Sequence, residues 1–156
     1  MQKIDIIVVG KTKEGWLQRA EDEYVKRLRG DVALGIRVVR DESVKKWKSP
    51  DIIKKIEGER IAKLLGRASF NIALDLRGQD FSSVEFALLL KEKQEQGRPV
   101  AFIIGGALGL SEEVTQKAEL VISISKLTFT HQMVRLILLE QLYRAHTILA
   151  GKEYHR

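Results

Sequence analysis

Five short apolar runs rich in β-branched residues punctuate the chain: Ile4–Val9, Ile36–Val39, Phe70–Leu76, Val100–Ile104 and Leu120–Ile124. Each meets turn-forming or polar residues at its carboxyl end, namely Gly10, Arg40-Asp41, Arg77-Gly78, Gly105-Gly106 and Ser125-Lys126. Unbroken apolar stretches such as Ala101-Phe102-Ile103-Ile104 predict strands covered on both faces, as in a parallel sheet. Between the runs the apolar spacing changes to three and four residues. Glu14 to Leu28 mixes charges with Trp16, Leu17, Tyr24 and Val25, and Pro50 opens a second helix carrying Ile52, Ile53, Ile56, Ile61, Leu64 and Leu65. Ser82 caps a third that stops near Gly97-Arg98-Pro99. Ser111 caps a fourth, whose Glu112 and Glu113 suit the positive end of the helix dipole. A fifth runs from about Thr130 to Ala150 and ends at Gly151. Strands alternating with helices, without repeat or linker, predict one α/β domain over residues 1–156 with a mainly parallel sheet.

The last helix departs from a simple amphipathic pattern. Leu136, Leu139 and Tyr143 form one apolar stripe, while Ile137, Leu138, Leu142 and Ala145 form another. A helix apolar nearly all round is covered on both sides. The second cover is either a partner copy of the chain or the monomer's own core.

Composition narrows the chemistry. With 156 residues, 44% of them hydrophobic and 31% charged, the chain reads as an ordinary globular domain. The absence of cysteine excludes disulfides, thiolate metal sites and cysteine nucleophiles. His131, His146 and His155 have no spacing that puts two on one helical face for zinc, so no metal is expected. Neither a signal peptide nor a membrane span is visible, and the expected location is the cytoplasm. The net charge of +6 favours a polyanionic partner, nucleic acid before membrane. Nine basic residues between positions 40 and 67 (Arg40, Lys45, Lys46, Lys48, Lys54, Lys55, Arg60, Lys63, Arg67) surround Trp47 and face five acidic ones. That mixture suits either RNA contact or a solvated helix face.

In open α/β sheets, ligands bind beyond the carboxyl ends of strands. Those ends here are Leu74-Asp75-Leu76-Arg77-Gly78, the 104–109 glycine turn, and the 124–129 loop. Two familiar phosphate motifs are excluded. Gly10-Lys11-Thr12 lacks the earlier glycine of a P-loop, because Asp5 holds its place, and the 10–15 segment lacks the middle glycine of a dinucleotide fingerprint. The final Tyr154-His155-Arg156 combines an aromatic, an imidazole and a guanidinium, suited to stacking on a base and pairing with phosphate; a solvated tail is the other reading.

Four ordered motifs carry a resemblance. They are Phe102-Ile103-Ile104-Gly105-Gly106-Ala107-Leu108-Gly109-Leu110, then Ser125 to Arg135, then Glu140-Gln141-Leu142-Tyr143-Arg144-Ala145, and Tyr154-His155-Arg156. Together with Val8-Val9-Gly10-Lys11 they resemble the RlmH-type (YbeA-like) pseudouridine N3-methyltransferases of the SPOUT superfamily over almost the whole chain. One departure is Thr130, where that family often has proline; a helix N-terminus accepts either.

The resemblance implies a three-layer α/β sandwich around a parallel sheet, with a deep C-terminal trefoil knot, acting as a homodimer. It implies S-adenosylmethionine as cofactor, bent in the knot and held by Leu74, Gly105, Gly106 and the Ile124-Ser125-Lys126-Leu127-Thr128-Phe129 loop. It implies a pseudouridine of large-subunit rRNA, within an assembled ribosome, as substrate. His155 is the first candidate to take the imide proton, with Arg156 or Lys126 steadying the anion or backbone and Tyr154 beside them. His131 suits loop orientation or RNA contact equally, and Glu140 with Arg144 reads as an intrahelical pair. Two alternatives stand beside this reading: a non-catalytic RNA- or ribosome-binding module, and a knotted methyltransferase acting on another RNA such as tRNA.

Overall fold

The computed structural model describes residues 1–47 and 49–155, the last of these by its backbone alone. Strands and helices alternate as β1 (Gln2–Val9), α1 (Gly15–Leu28), β2 (Val32–Val39), α2 (Pro50–Ala62), β3 (Phe70–Asp80), α3 (Ser83–Glu95), β4 (Val100–Ile104), α4 (Glu112–Lys117), β5 (Leu120–Ser123) and α5 (His131–Leu149). A short 3-10 turn, Glu153–His155, follows. The sheet order is β2-β1-β4-β3-β5, and every neighbouring pair is parallel.

Alternating side chains of the central strands feed two cores. Ile4, Ile6, Val8, Ile72, Phe102 and Ile104 meet Leu28, Phe86, Leu90, Leu138, Leu139 and Leu142, which come from α1, α3 and α5. On the opposite face Ile7, Val9, Ala73 and Ile103 meet Ile61 of α2 and Val114 of α4. The result is an α/β/α sandwich, and the continuous apolar runs exist because the middle strands are buried on both faces.

Five elements differ from their sequence pattern. β1 begins at Gln2, two residues before its apolar run, and α2 ends at Ala62, so Leu64 and Leu65 lie past it. β2 begins at Val32, four residues before the apolar run, because all eight of its residues pair with β1, from Gln2↔Val32 to Val9↔Val39. β3 extends to Asp80 through an irregularity in which Leu74 and Gln79 both oppose Ile122. β5 stops at Ser123, one residue short of the predicted end. The last helix lies between α1 and α3 on one face of the sheet, so its own chain covers much of its apolar circumference. Among the described residues no helix is long and apolar enough to cross a membrane, and no cluster of His, Asp and Glu is placed to hold a metal.

Candidate functional site

Beyond the carboxyl ends of β3, β4 and β5 lies a cavity of about 1080 Å³. It is lined by residues 74–77, 104–110, 124–125 and 127–134, with Glu14, Trp16 and Leu17 closing one side. Leu74, Gly105, Gly106, Ile124, Ser125, Leu127, Thr128 and Phe129 therefore share one space although they come from three distant segments.

The first wall is the bow in β3. Residues 75–78 leave the ladder between two residues that face the same partner, and Asp75 braces the detour by accepting from Arg77 N at 2.9 Å, Nε at 3.0 Å and Nη2 at 3.2 Å. Those hydrogen bonds hold the Asp75 carboxyl below its ordinary range. A Cβ on Gly78 would stand 2.5 Å from the Ile122 carbonyl carbon, so the returning strand can run past β5 only as glycine.

The second wall is the turn after β4. Gly109 N donates to Gly106 O at 3.0 Å, closing a tight loop. A Cβ on Gly105 would lie 2.6 Å from the Gly109 carbonyl carbon and 2.9 Å from Leu110 N. The glycine is thus required by backbone meeting backbone, which leaves the inner surface of the turn free for a ligand.

The third wall is the loop from β5 into α5. Ser123 Oγ donates to Ser125 O at 3.0 Å, and Leu127 N donates to Ser125 Oγ at 3.0 Å. Lys126 does not line the cavity. Its side chain is 89% exposed, with Nζ 3.9 Å from Asp80 Oδ2, because the serine-braced turn directs it outward. Thr130 caps α5 by accepting from Met133 N at 3.3 Å, as its sequence position suggested. His131 follows on the cavity wall, and burial, reinforced by the Arg135 charge, pushes its imidazole below the usual histidine range despite the opposing effect of Asp41.

The fourth side comes from the segment entering α1. Lys13 N donates to Gln132 Oε1 at 3.0 Å. Arg135, almost wholly buried, donates through Nη2 to Val9 O and through Nη1 to Thr12 Oγ1 at 3.2 Å, while the Thr12 hydroxyl donates to Glu21 at 2.8 Å. Gln18 Nε2 reaches back to Thr12 O at 2.6 Å. This strap ties the 9–14 segment to both helices. Burial pushes the Glu21 carboxyl above its ordinary range, against the pull of Thr12 and Arg135.

Tyr154 is elsewhere in its own chain. Its hydroxyl is 3.3 Å from that of Tyr24 and 3.5 Å from Glu140 Oε1, and its ring meets Tyr143 edge-on at 4.7 Å. The Arg144 guanidinium lies 5.1 Å over that ring and pairs with Glu140, as the i,i+4 spacing anticipated. The hydrogen bond to Tyr24, followed by burial, pushes the Tyr154 phenol up to about 12. Twelve residues of helix separate His131 from Tyr143, about 18 Å of rise, so this cluster stands well away from the cavity. Arg156 and the His155 side chain lie outside the described residues. In the basic stretch, Trp47 spends its Nε1–H on Glu42 at 2.8 Å and Arg60 binds Arg40 O and Glu42, so part of that charge is structural. Lys48 lies outside the described residues.

Sequence reasoning counted Asp75 among the strand-end residues near a ligand without giving it a role, and it did not place Glu14, Trp16 or Met133 at the cavity. Asp75 was within reach, since it directly follows Leu74 at a strand end. Trp16 carried no such signal, because helical spacing reads an aromatic as core. The mostly apolar walls, the open glycine turn and the Glu14 carboxylate suit a flat heteroaromatic ligand that also carries positive charge, while Asp75 is paired with Arg77.

Comparison with known proteins gives the chain's family. The family described as "Predicted SPOUT methyltransferase" matches residues 2–155. A ribosomal RNA large subunit methyltransferase H from Carboxydothermus hydrogenoformans is 45% identical over 99% of both chains. The protein of the same name from Clostridium botulinum (strain Kyoto) is 47% identical over 98% of this chain and 99% of its own. Among solved structures, a probable methyltransferase from Bordetella pertussis superposes with a TM-score of 0.62 at 15% identity, covering 93% of this chain and 96% of that one. A putative methylase family protein from Neisseria gonorrhoeae gives 0.55 at 13%, covering 97% and 95%. At such low identity these two structures speak for the fold alone. A family match over nearly the whole length, and relatives this similar from end to end, establish that the chain belongs to the SPOUT methyltransferases.

Proposed function

We propose that the chain transfers a methyl group from S-adenosylmethionine to N3 of a pseudouridine in large-subunit ribosomal RNA. The observation that carries the reading is the single cavity in which the ends of β3, β4 and β5 meet. The names of its relatives support the rRNA substrate.

The residues fit the cofactor. Leu74 and the 124–125 and 127–129 segments give apolar walls, the Gly105-Gly106 turn gives a surface without side chains, and Glu14 places a carboxylate where a cationic ligand gains from it, Asp75 being paired with Arg77. The bound cofactor supplies an already activated sulfonium methyl, so the protein's task is to hold and align. Close positioning alone permits roughly 7–11 kcal/mol of barrier reduction. The imide proton at N3 must leave, and a well-placed base assists by roughly 10²–10⁴-fold.

His155 takes that proton in our proposal, with Arg156 gripping the nucleotide and Tyr154, held by Tyr24 and Glu140, anchoring the tail beside them. Because the Tyr154 cluster lies at the far end of α5, the tail reaches a cavity only in an assembly. A homodimer supplies one, each tail serving its partner's cavity. We further propose that the 124–130 segment threads the chain into the trefoil knot of the family; the seating of α5 between α1 and α3 is consistent with this path. The working site is the cytoplasm, where assembled ribosomes present the pseudouridine.

Two measurements test the reading. Calorimetry of the wild-type protein should show S-adenosylmethionine binding, and mass mapping of ribosomal RNA from a deletion strain should show one large-subunit pseudouridine without its methyl group. An rRNA left unchanged by the deletion would falsify the substrate assignment.

A further inference from the structure

N3 lies on the pairing edge of a uridine-type base, so the acceptor must be unpaired and turned out before a methyl group can reach it. A turned-out base loses its stacking neighbours, and a protein that captures it offers aromatic faces in their place. The mouth of the cavity carries such faces. Trp16, Leu76, Leu127 and Phe129 all line it, yet they remain 54%, 53%, 73% and 42% exposed. A ring of exposed apolar side chains around a cavity marks a docking surface.

Trp16 is the rigid member of this ring. Its neighbour Leu17 is 2% exposed and anchors the first turn of α1 in the protein. The segment leading into that turn is fixed by the Gln132, Thr12 and Arg135 hydrogen bonds already described. The indole therefore stands at the rim on a held backbone, and its exposure does not come from a loose chain.

Arg77, paired with Asp75, lines the same cavity, and Lys13 and Lys126 are exposed next in sequence to residues that line it, Glu14 on one side and Ser125 and Leu127 on the other. Aromatic faces among cations match RNA. From this juxtaposition we propose that Trp16 is the stacking platform for the acceptor nucleobase. The mouth is then the acceptor subsite and the glycine-lined floor the cofactor subsite. This assignment rests on the methyltransferase reading above and adds a residue to it.

The experiment uses the full-length protein and ribosomes from a strain lacking this methyl group. Trp16→Ala should raise the KM for ribosomes roughly 5- to 150-fold, the worth of one base–aromatic stack. The same variant should bind S-adenosylmethionine as the wild type does, keep its oligomeric state and lose little in kcat. Trp16→Phe should recover most of the KM. A KM within twofold of wild type in Trp16→Ala overturns the platform. So does a loss of cofactor affinity, which would move the indole to the cofactor subsite, and so does dissociation into monomers, which would make the rim a contact between copies. Wild-type protein that binds no S-adenosylmethionine overturns the methyltransferase reading and this assignment together, so the two failures are told apart before any variant is compared.

Discussion

The two ends of α5 use the same helix for opposite purposes. At its start, His131 to Val134 face a large open cavity, and the imidazole of His131 is left without a hydrogen-bond partner among the described residues. At its end, Glu140, Tyr143 and Arg144 are closed over by Tyr24 and Tyr154 in a web of ring contacts and ion pairs. The far end spends Glu140, Arg144 and Tyr154 on one another, whereas the near end, capped by Thr130 and tied through Gln132, turns His131 to the cavity. The lesson is that an unpaired imidazole on a cavity wall marks function more reliably than a cluster of chemically versatile side chains. Those clustered at the far end are already engaged with one another.

Removing Tyr154 to Arg156 would break the comparison most severely. We expect turnover on ribosomes to fall about 10²–10⁴-fold, the scale of a lost base, with S-adenosylmethionine affinity nearly unchanged by calorimetry. Full turnover in the truncated protein would leave the far end purely structural. Gly105→Val attacks the open end. Its Cβ would enter the backbone of Gly109, and we expect at least ~100-fold loss of cofactor affinity, with circular dichroism confirming a retained fold. Unchanged affinity would remove the turn from the cofactor site.

Arg135→Met probes the strap that holds the open end in place. Losing charge-assisted bonds to Val9 O and Thr12 should cost roughly 2–4 kcal/mol in denaturant unfolding, and a change under 0.5 kcal/mol would contradict the strap. The smallest effect concerns pH. Burial depresses both His131 at one end and His146 toward the other below the ordinary value of 6.5. The unfolded chain then binds their protons more readily, so their contribution to stability is lost as pH falls below about 6.5. Glu21 and Glu57 are raised by burial and act in the opposite sense, but equally in wild type and variant. His146→Leu should therefore gain on the wild type by a few degrees of melting temperature between pH 7 and 5, and a constant difference would sink the assignment.

Much of the fold was legible because strand and helix are local in cause. The runs at Ile4–Val9 and Val100–Ile104 and the caps at Ser82, Ser111 and Thr130 stand where the pattern puts them. Ser82 completes a capping box with Glu85. β2 outruns its apolar run because full-length pairing to β1 overrides the weak strand preference of Gly35 and its mixed neighbours. The 75–78 bow was invisible, since nothing local says that the strand will return to face Ile122 again. The glycine turn and serine loop were legible through the family resemblance, whereas Trp16 owes its place to hydrogen bonds spanning more than a hundred residues.

The return of β3 to Ile122 has a consequence for synthesis. Gln79 and Asp80 find their strand partners only in Ile122 and Ser123, some forty residues later in the chain. A nascent chain halted before residue 120 holds four strands but has no place to dock the second half of β3, and its cavity lacks a wall. The protein therefore acquires competence in its closing quarter, after most of its sheet exists, and a chain released early is held back by missing geometry before any chemistry is asked of it.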